Sequence, residues 1–392
     1  MIPQFDPRSP EFRRNPYPYY DMLRSAAPVF HWETWNVIFL TRHDDCSELL
    51  RDNRLGHGSM GEPSPTQQAL FAMQSQWMLF KDPPDHTRLR GLVHKAFTPR
   101  MVEQLRGVTQ SIADRLLDQV QAAGSMDLIA DLAYPLPVTV IAAMLGIPEA
   151  DRDAFHEWSD ALARSLDLTE DPAVYARATV AAATFTEYLR ELADRRRVEP
   201  RDDLLSALVA VEEAGEHLTE SELYATCALL LVAGHETTIN LIGNGTLALL
   251  QHPEQLQLLR QEPTLLRTAV EELLRYDSPV QMTSRIVLAP LTIRGKTLAK
   301  GQQVSFMLGA ANRDPEVFAN ADRLDIQRKN NPHLAFGSGI HYCLGAPLAR
   351  LEGQIAFETL LRRMPNLALA TTTPVYRDNY VLRGLETLPV AF

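Results

Sequence analysis

"HLAFGSGIHYCLGAPLARLEG", His333 to Gly353, sets glycines and aromatics around a cysteine and runs straight into a helical pattern. After Cys343, the apolar positions Leu344, Leu348, Leu351 and Ile355 recur with helical spacing, and Pro347 falls in the first turn, where its missing N–H does little harm. The spacing predicts Cys343 at a helix N-terminus. There, unpaired backbone N–H groups and the positive end of the helix dipole stabilise a thiolate. Gly337, Gly339 and Gly345 remove side chains that would hold the backbone away from a bulky flat ligand. Taken alone, the stretch admits a thiolate metal ligand, a nucleophilic cysteine with His341 facing the same way, or a glycine-rich turn around an incidental buried thiol. No third orienting group accompanies His341, and two nearby ligands fall short of the four of a structural zinc site.

The whole chain sets the bounds. Its 392 residues, 45% of them hydrophobic, can bury a sizeable core. A net charge of −11 argues against nucleic acid or an anionic membrane surface as the main partner. Cys46, Cys227 and Cys343 are odd in number and widely spaced, so neither a disulfide framework nor a clustered zinc site is readable, and a cytoplasmic location is expected. The opening "MIPQFDPRSPEF" has no basic segment followed by an apolar one, so no signal peptide is expected. The longest apolar stretch, Leu223 to Leu250, is interrupted by His235, Glu236, Asn240 and Asn244, which would be costly in lipid. It reads as a buried helix, without membrane association.

Helical periodicity dominates elsewhere. Val102, Leu105, Val108, Ile112 and Leu116 form one buried face of a helix from Met101 to Gly124. Short β-rich stretches fall near Val37 to Leu40, between Arg285 and Ile293, and from Tyr380 to Val390. The fold class is mainly α with small β-sheets. Proline and glycine punctuate without concentrating into a linker, and no internal repeat is visible, so a single domain over residues 1–392 is expected.

Further segments carry chemistry. In "LLLVAGHETTINLIGNG", Leu230, Ala233, Gly234 and Thr237 share one helical face that is small in the middle. Gly234 and the β-branched pair Thr237 and Thr238 weaken a helix interior, so the backbone is expected to open there into a polar groove. Thr237 would then donate to a small ligand while Glu236 supplies protons; the alternative is a packing notch beside a solvated glutamate. In "EELLRYDSPV", Glu272 and Arg275 share a helical face and can pair. In "DPPDHTRLR", His86 and Arg90 stand four apart on a helix begun by prolines, which suits an anion or a plain basic face.

Together and in this order, these segments resemble the cytochrome P450 family, the haem-thiolate monooxygenases. Phe336, Gly339, His341, Cys343 and Gly345 match its haem-binding pattern, Ala233, Gly234, Glu236, Thr237 and Thr238 its oxygen-activating helix, and Glu272 with Arg275 its E-x-x-R. "FTPR" from Phe97, "NRDPEVF" from Asn312, "DRLDIQR" from Asp322 and "RGLETLPV" from Arg383 extend the likeness over nearly the whole chain.

The resemblance implies one domain holding haem b, iron protoporphyrin IX, between the oxygen-activating helix and the helix after Cys343. It implies Cys343 as the axial thiolate, Phe336 packed beside it, and His86, Arg90, Arg285 and His341 as partners of the haem propionates, with Ala233, Gly234 and Gly345 also against the cofactor. Glu272, Arg275 and Arg323 would form a structural triad. Ala321, where the family often has proline, should affect only a local turn. Glu236 and Thr237 would deliver protons to bound O₂, and family members that run on hydrogen peroxide alone usually lack that pair. An O₂-dependent monooxygenase is therefore expected ahead of a peroxide-driven enzyme or a non-catalytic haem sensor.

The implied pocket draws on the loop from Met60 to Met78, with Trp77 and Met78, on Leu230 and Ala233, on Val280, Met282 and Thr283, and on Val381. Its lining suits an apolar small molecule, with Gln281 and Thr283 orienting one polar group. The chain has no glycine-rich dinucleotide fingerprint, and no fused flavin domain is expected beyond the closing "RGLETLPVAF". Electrons would come from an external ferredoxin and its NAD(P)H-dependent reductase, steered by a basic patch of Arg100, Arg350, Arg362 and Arg363 on a monomer.

Overall fold

A computed structural model describes residues 6, 7, 9–58, 64–166, 171–213 and 215–392. Contacts gather the chain into two compact units, one of Met1–Gly56, Ala113–Tyr134 and Thr237–Phe392, the other of His57–Ile112 and Pro135–Glu236.

The first unit holds a five-stranded sheet. Val37–Leu40 is buried at every position, as a strand covered on both faces must be. It pairs antiparallel with Val29–Trp32 and parallel with Gln303–Phe306, which lies antiparallel to Thr283–Val287; Leu55–Gly56 forms the far edge. Asn36, at φ +52°, reverses the chain between the first two strands, a left-handed position that asparagine tolerates. Beneath the sheet lie Val29, Ile38, Leu40, Val287, Val304 and Phe306. The other expected strands appear as shorter pieces, Leu291–Ile293, Leu385–Thr387 and Pro389–Ala391.

A second core in this unit joins the helices Leu266–Tyr276 and Ala346–Arg363 through Val270, Leu273 and Phe357, each buried side chain contributing about 1.5–3 kcal/mol. Gly245 lets its helix approach closely, since a Cβ there would lie 2.6 Å from the Phe357 ring.

Beside that core sits an ion network. Glu272 and Arg275 are both 0% exposed, so their pairing is a core feature. Arg275 grips the carboxylate with two 2.8 Å bonds from Nε and Nη2, and its Nη1 donates to the carbonyls of Asn312 at 2.9 Å and Ala321 at 2.7 Å. The third side chain is Arg328, not the expected Arg323. Arg323 is exposed and offers only its backbone carbonyl to Arg275, whereas Arg328 Nε donates to Glu272 Oε2 at 3.0 Å. The Asp325 N–H and Asn331 Nδ2 supply further donors to Glu272.

In the second unit, Asp171 caps the long helix Pro172–Val198 by accepting from the Ala173 N–H. That helix packs on Arg152–Arg164, with Phe185 meeting Phe155 and Trp158 at ring distances of 5.7 and 5.3 Å. The helix Pro135–Leu145 stops at Gly146, whose φ of +72° suits glycine.

Two helices run from one unit's residues into the other's. Along Pro99–Gln121, Val102, Leu105 and Ile112 are buried as expected, but Val108 is 41% exposed and Leu116 only half-buried. Thr109 and Leu117 take the buried positions, the Thr109 hydroxyl donating to the Leu105 carbonyl at 2.8 Å. The helix Glu220–Gln251 is long and apolar enough to cross a membrane by composition, but 72% of its apolar window is buried within the protein. Contrary to the expected opening at Gly234, it is helical throughout. Gly234 serves packing, because a Cβ there would lie 2.7 Å from Ile141 Cδ1.

Removing one member of a buried ion pair leaves its partners charged and unsatisfied. Glu272→Ala should therefore lower the unfolding free energy by about 3–5 kcal/mol, read by urea denaturation of the holoprotein; an unchanged midpoint would show the network to be dispensable.

Candidate functional site

The segment Gly337 to Gly345 folds as a compact loop ahead of the helix Ala346–Arg363. Cys343 lies just before the Gly345 N-cap, so the thiol precedes the first turn instead of sitting within it, and its N–H donates to the Phe336 carbonyl at 2.9 Å. His341 closes a 3₁₀ turn from Gly339, which replaces the extended geometry that a cysteine–histidine pair required. The loop glycines answer first to backbone demands. Gly337 and Gly339 both have φ +69°, and a Cβ on Gly339 would lie 2.5 Å from the Leu50 carbonyl oxygen. Gly345 is open by comparison, since a Cβ there would meet only Cys343 Sγ, at an ordinary contact distance of 3.9 Å.

The three thiols differ in setting. Cys46 and Cys227 are fully buried, and burial pushes the Cys227 thiol up to about 12 and Cys46 well above its ordinary value, so both stay protonated. Cys343 is only partly buried. Among the described residues, the one grouping of three His, Cys, Asp or Glu ligand atoms is Asp160, His235 and Glu236, so Cys343 offers a single soft donor with no cage around it. That donor would suit a haem iron bound through a single thiolate and does not fit the four-ligand zinc pattern.

Phe336 is braced on this loop. The Arg350 guanidinium lies 4.5 Å from its ring centroid, and Arg350 in turn makes two bonds to Glu271, at 2.6 and 2.8 Å. His333 Nε2 reaches Glu271 Oε2 at 3.0 Å. Burial alone would raise the Glu271 carboxyl, but the bonds from Arg350 and His333 outweigh it and hold the pKa down at about 2. Arg363 bonds Asp118 at 2.6 Å and the Asp114 carbonyl at 2.8 Å, and Arg362 reaches Asp114 at 3.5 Å. The expected patch of free basic charge is therefore locally neutralised at Arg350, Arg362 and Arg363.

Glu352 was not anticipated as special, although its spacing of four from Leu348 and three from Ile355 places it on the buried face. Its side chain is fully enclosed. Burial lifts its carboxyl to about 8, with a hydrogen bond from Thr238 pulling the other way.

On the helix Glu220–Gln251, every described position from Glu222 to Leu249 is buried except Leu230, Ala233, Gly234, Glu236 and Thr237. A helix otherwise sealed in protein thus leaves open the one stripe that the sequence singled out. Arg285, on the strand Thr283–Val287, is buried and donates to the Ser284 carbonyl at 2.7 Å and to Thr283 Oγ1 at 3.3 Å. Val280 bridges to Leu382, and the Gln281 N–H donates to the Val381 carbonyl at 2.8 Å, so those pocket candidates are neighbours. Met282 is core. Gln281 is not available to orient a ligand: it accepts from Tyr20 at 2.8 Å and donates to the Ser278 carbonyl at 2.7 Å.

In the second unit, His86 is buried and Arg90 half-buried on one face of the helix Asp85–Ala96. Trp77 is fully buried and stacked on Phe80, and Met78 is buried beside it in sequence. Met60, the start of the expected pocket loop, lies outside the described residues.

Comparison with known proteins shows the family. The family model for cytochrome P450 matches residues 18–374. The chain is 45% identical to the biotin biosynthesis cytochrome P450 of Bacillus subtilis (strain 168), covering 98% of each, and 44% identical to the vitamin D(3) 25-hydroxylase of Pseudonocardia autotrophica, covering 99% of this chain and 96% of that one. A crystal structure of P450BioI in complex with an acyl carrier protein ligated to hexadec-9Z-enoic acid superposes with a TM-score of 0.93 at 45% identity, covering 97% of this chain and 99% of that one. The chain belongs to the cytochrome P450 family, and it is a monooxygenase of that class.

Glu352 gives the site a pH signature. Between the ordinary value of 4.5 and about 8, the folded chain keeps a proton on Glu352 that the unfolded chain has lost, so this residue makes stability fall as pH rises through that window. Glu352→Gln should flatten that part of the curve, gaining on the parent protein at the alkaline end when urea midpoints are compared across the window. Parallel curves would mean that Glu352 is ionised in the fold.

Proposed function

We propose that this protein inserts one oxygen atom from O₂ into an apolar small molecule, by hydroxylation or epoxidation, using haem b and electrons from an external ferredoxin. The observation that carries this reading is the open stripe on an otherwise sealed helix, where the acid Glu236 and the alcohol Thr237 stand side by side. Haem, when bound, supplies the binding and reductive cleavage of O₂.

The chain's own residues do the rest. Cys343 holds the cofactor through sulfur, and Phe336, fixed by Arg350, shields that face. His86, Arg90, Arg285 and His341 are the donors proposed for the two propionates, whose charge must be matched when taken out of water. Ala233 keeps the stripe low enough for a flat ring system, Gly234 lets the helix close on Ile141 at that level, and Gly345 leaves room beside the sulfur. Glu236 holds the proton to be delivered, and the Thr237 hydroxyl donates at the reacting end and takes up the Glu236 proton in turn.

The substrate contacts proposed are Leu230, Ala233, Val280, Met282, Thr283 and Val381, together with Trp77 and Met78. An apolar ligand is supported by the commitment of Gln281 to Tyr20 and Ser278, and of the Thr283 hydroxyl to Arg285, which leaves this segment few polar handles. Residues 1–392 are proposed to work as one domain, as a monomer in the cytoplasm. Ferredoxin docking is not assigned to Arg350, Arg362 or Arg363, given their acidic partners. The likeness to proteins named for biotin biosynthesis and for vitamin D(3) hydroxylation directs the search to long acyl chains, free or carrier-linked, and to secosteroids, screened by the spectral shift each causes in the haem.

Thr237→Ala tests the reading. It should leave haem content and ligand-induced shifts intact while product formed per NAD(P)H oxidised falls severalfold and hydrogen peroxide rises to match. Unchanged coupling would remove the acid–alcohol pair from the reaction.

A further inference from the structure

A cluster of titratable side chains lies outward from Glu236, all of it within the second unit. His235 is 0% exposed, on the same helix as Glu236, and faces Ser159 and Asp160 of the helix Arg152–Arg164. Its Nδ1 stands 3.0 Å from the Leu231 carbonyl and 2.9 Å from Ser159 Oγ. A carbonyl only accepts, so Nδ1 carries the hydrogen and Nε2 the lone pair. That nitrogen faces two carboxylates, Glu236 Oε1 at 3.8 Å and Asp160 Oδ1 at 4.0 Å, with Ser159 Oγ at 3.3 Å. Asp160 is 46% exposed, Glu236 13% and His235 not at all, so the ring is an enclosed link between two more open acids.

We infer that Asp160 and His235 form a relay that returns protons from solvent to Glu236 after each delivery. This rests on the role proposed above for Glu236. The balance is of one proton only: protonated Asp160 gives its proton to Nε2, the resulting imidazolium passes it from Nε2 to ionised Glu236, and Nδ1–H stays on the Leu231 carbonyl throughout. Both legs are longer than the 2.6–3.2 Å of direct transfer, so each closes by side-chain rotation or through one water. Ser159 fixes the ring so that Nε2 addresses both acids. His156, on the helix of Asp160, lies in the same electrostatic setting, its pKa lowered by burial with Asp160 and Asp153 opposing and His235 and Arg152 adding; among the described residues, the acids within 4.0 Å of Nε2 are Glu236 and Asp160. A buried histidine held between a solvent-facing acid and a partly buried one is more than a packing histidine needs.

The test uses the holoenzyme. In its reduced, carbon-monoxide-bound form, which is diamagnetic, ¹⁵N-histidine NMR should show the Nδ1–H tautomer for His235. With the screened compound that shifts the haem most, Asp160→Asn and His235→Asn should slow turnover severalfold, enlarge the solvent deuterium isotope effect and leave the spectral dissociation constant unchanged. Asparagine at 235 keeps a donor toward Leu231 but cannot titrate; should that variant fold poorly, the surface variant Asp160→Asn still decides. An Nε2–H tautomer, or parental turnover and isotope effect in Asp160→Asn while Glu236→Gln is slow, would overturn the relay and leave the monooxygenase reading standing. Parental behaviour in Glu236→Gln as well would instead overturn the role of Glu236.

Discussion

A carboxylate sealed from water must find all its partners inside the protein, and Glu272 organises a large part of its unit for that reason. Its two oxygens receive Arg275, Arg328, Asn331 and a backbone N–H, while Arg275 also ties down the carbonyls of Asn312, Ala321 and Arg323. The Asn312 side chain in turn accepts from the Leu334 N–H at 2.6 Å, at the entrance to the cysteine loop. The network thereby fixes where that loop begins, and Glu271, one residue away, fixes His333 and Arg350 on its flank. A soft sulfur ligand is useful only if it stays put, and its rigidity here derives from charge pairs that contact no substrate.

Three glutamates show how environment sets behaviour. Glu271 is partly buried but held by Arg350 and His333, and stays ionised down to about pH 2. Glu352, enclosed and bonded by Thr238, holds its proton up to about pH 8. Glu236 is partly open, beside a histidine whose Nε2 also faces a solvent-exposed acid. The same side chain thus serves as a permanent anion, as a neutral buried group and as a proposed proton carrier.

Much of this was legible in the sequence. The spacing after Cys343 gave the following helix, and the small-residue face of "LLLVAGHETT" gave the open stripe, because helical period and side-chain size are local properties. What the sequence could not supply was register and pairing between distant segments. Arg328 rather than Arg323 reaches Glu272 because the turn after Ala321 carries the later arginine inward. Val108 turns out to solvent because a helix of 3.6 residues per turn shifts the buried face to Thr109. The glycines of the cysteine loop were legible as a need for close approach, but whether a ligand or the Leu50 backbone approaches depends on tertiary structure. His235 was visible only as a polar interruption, since Asp160 is remote in sequence.

Everything proposed for the site depends on Cys343 binding haem iron through its sulfur. The direct measurement is the absorption spectrum of the reduced protein with carbon monoxide, for the parent chain and for Cys343→Ser. Thiolate ligation predicts the far red-shifted Soret band in the parent and its loss in the variant. A parent protein without that band, or a variant that keeps it, would contradict the account.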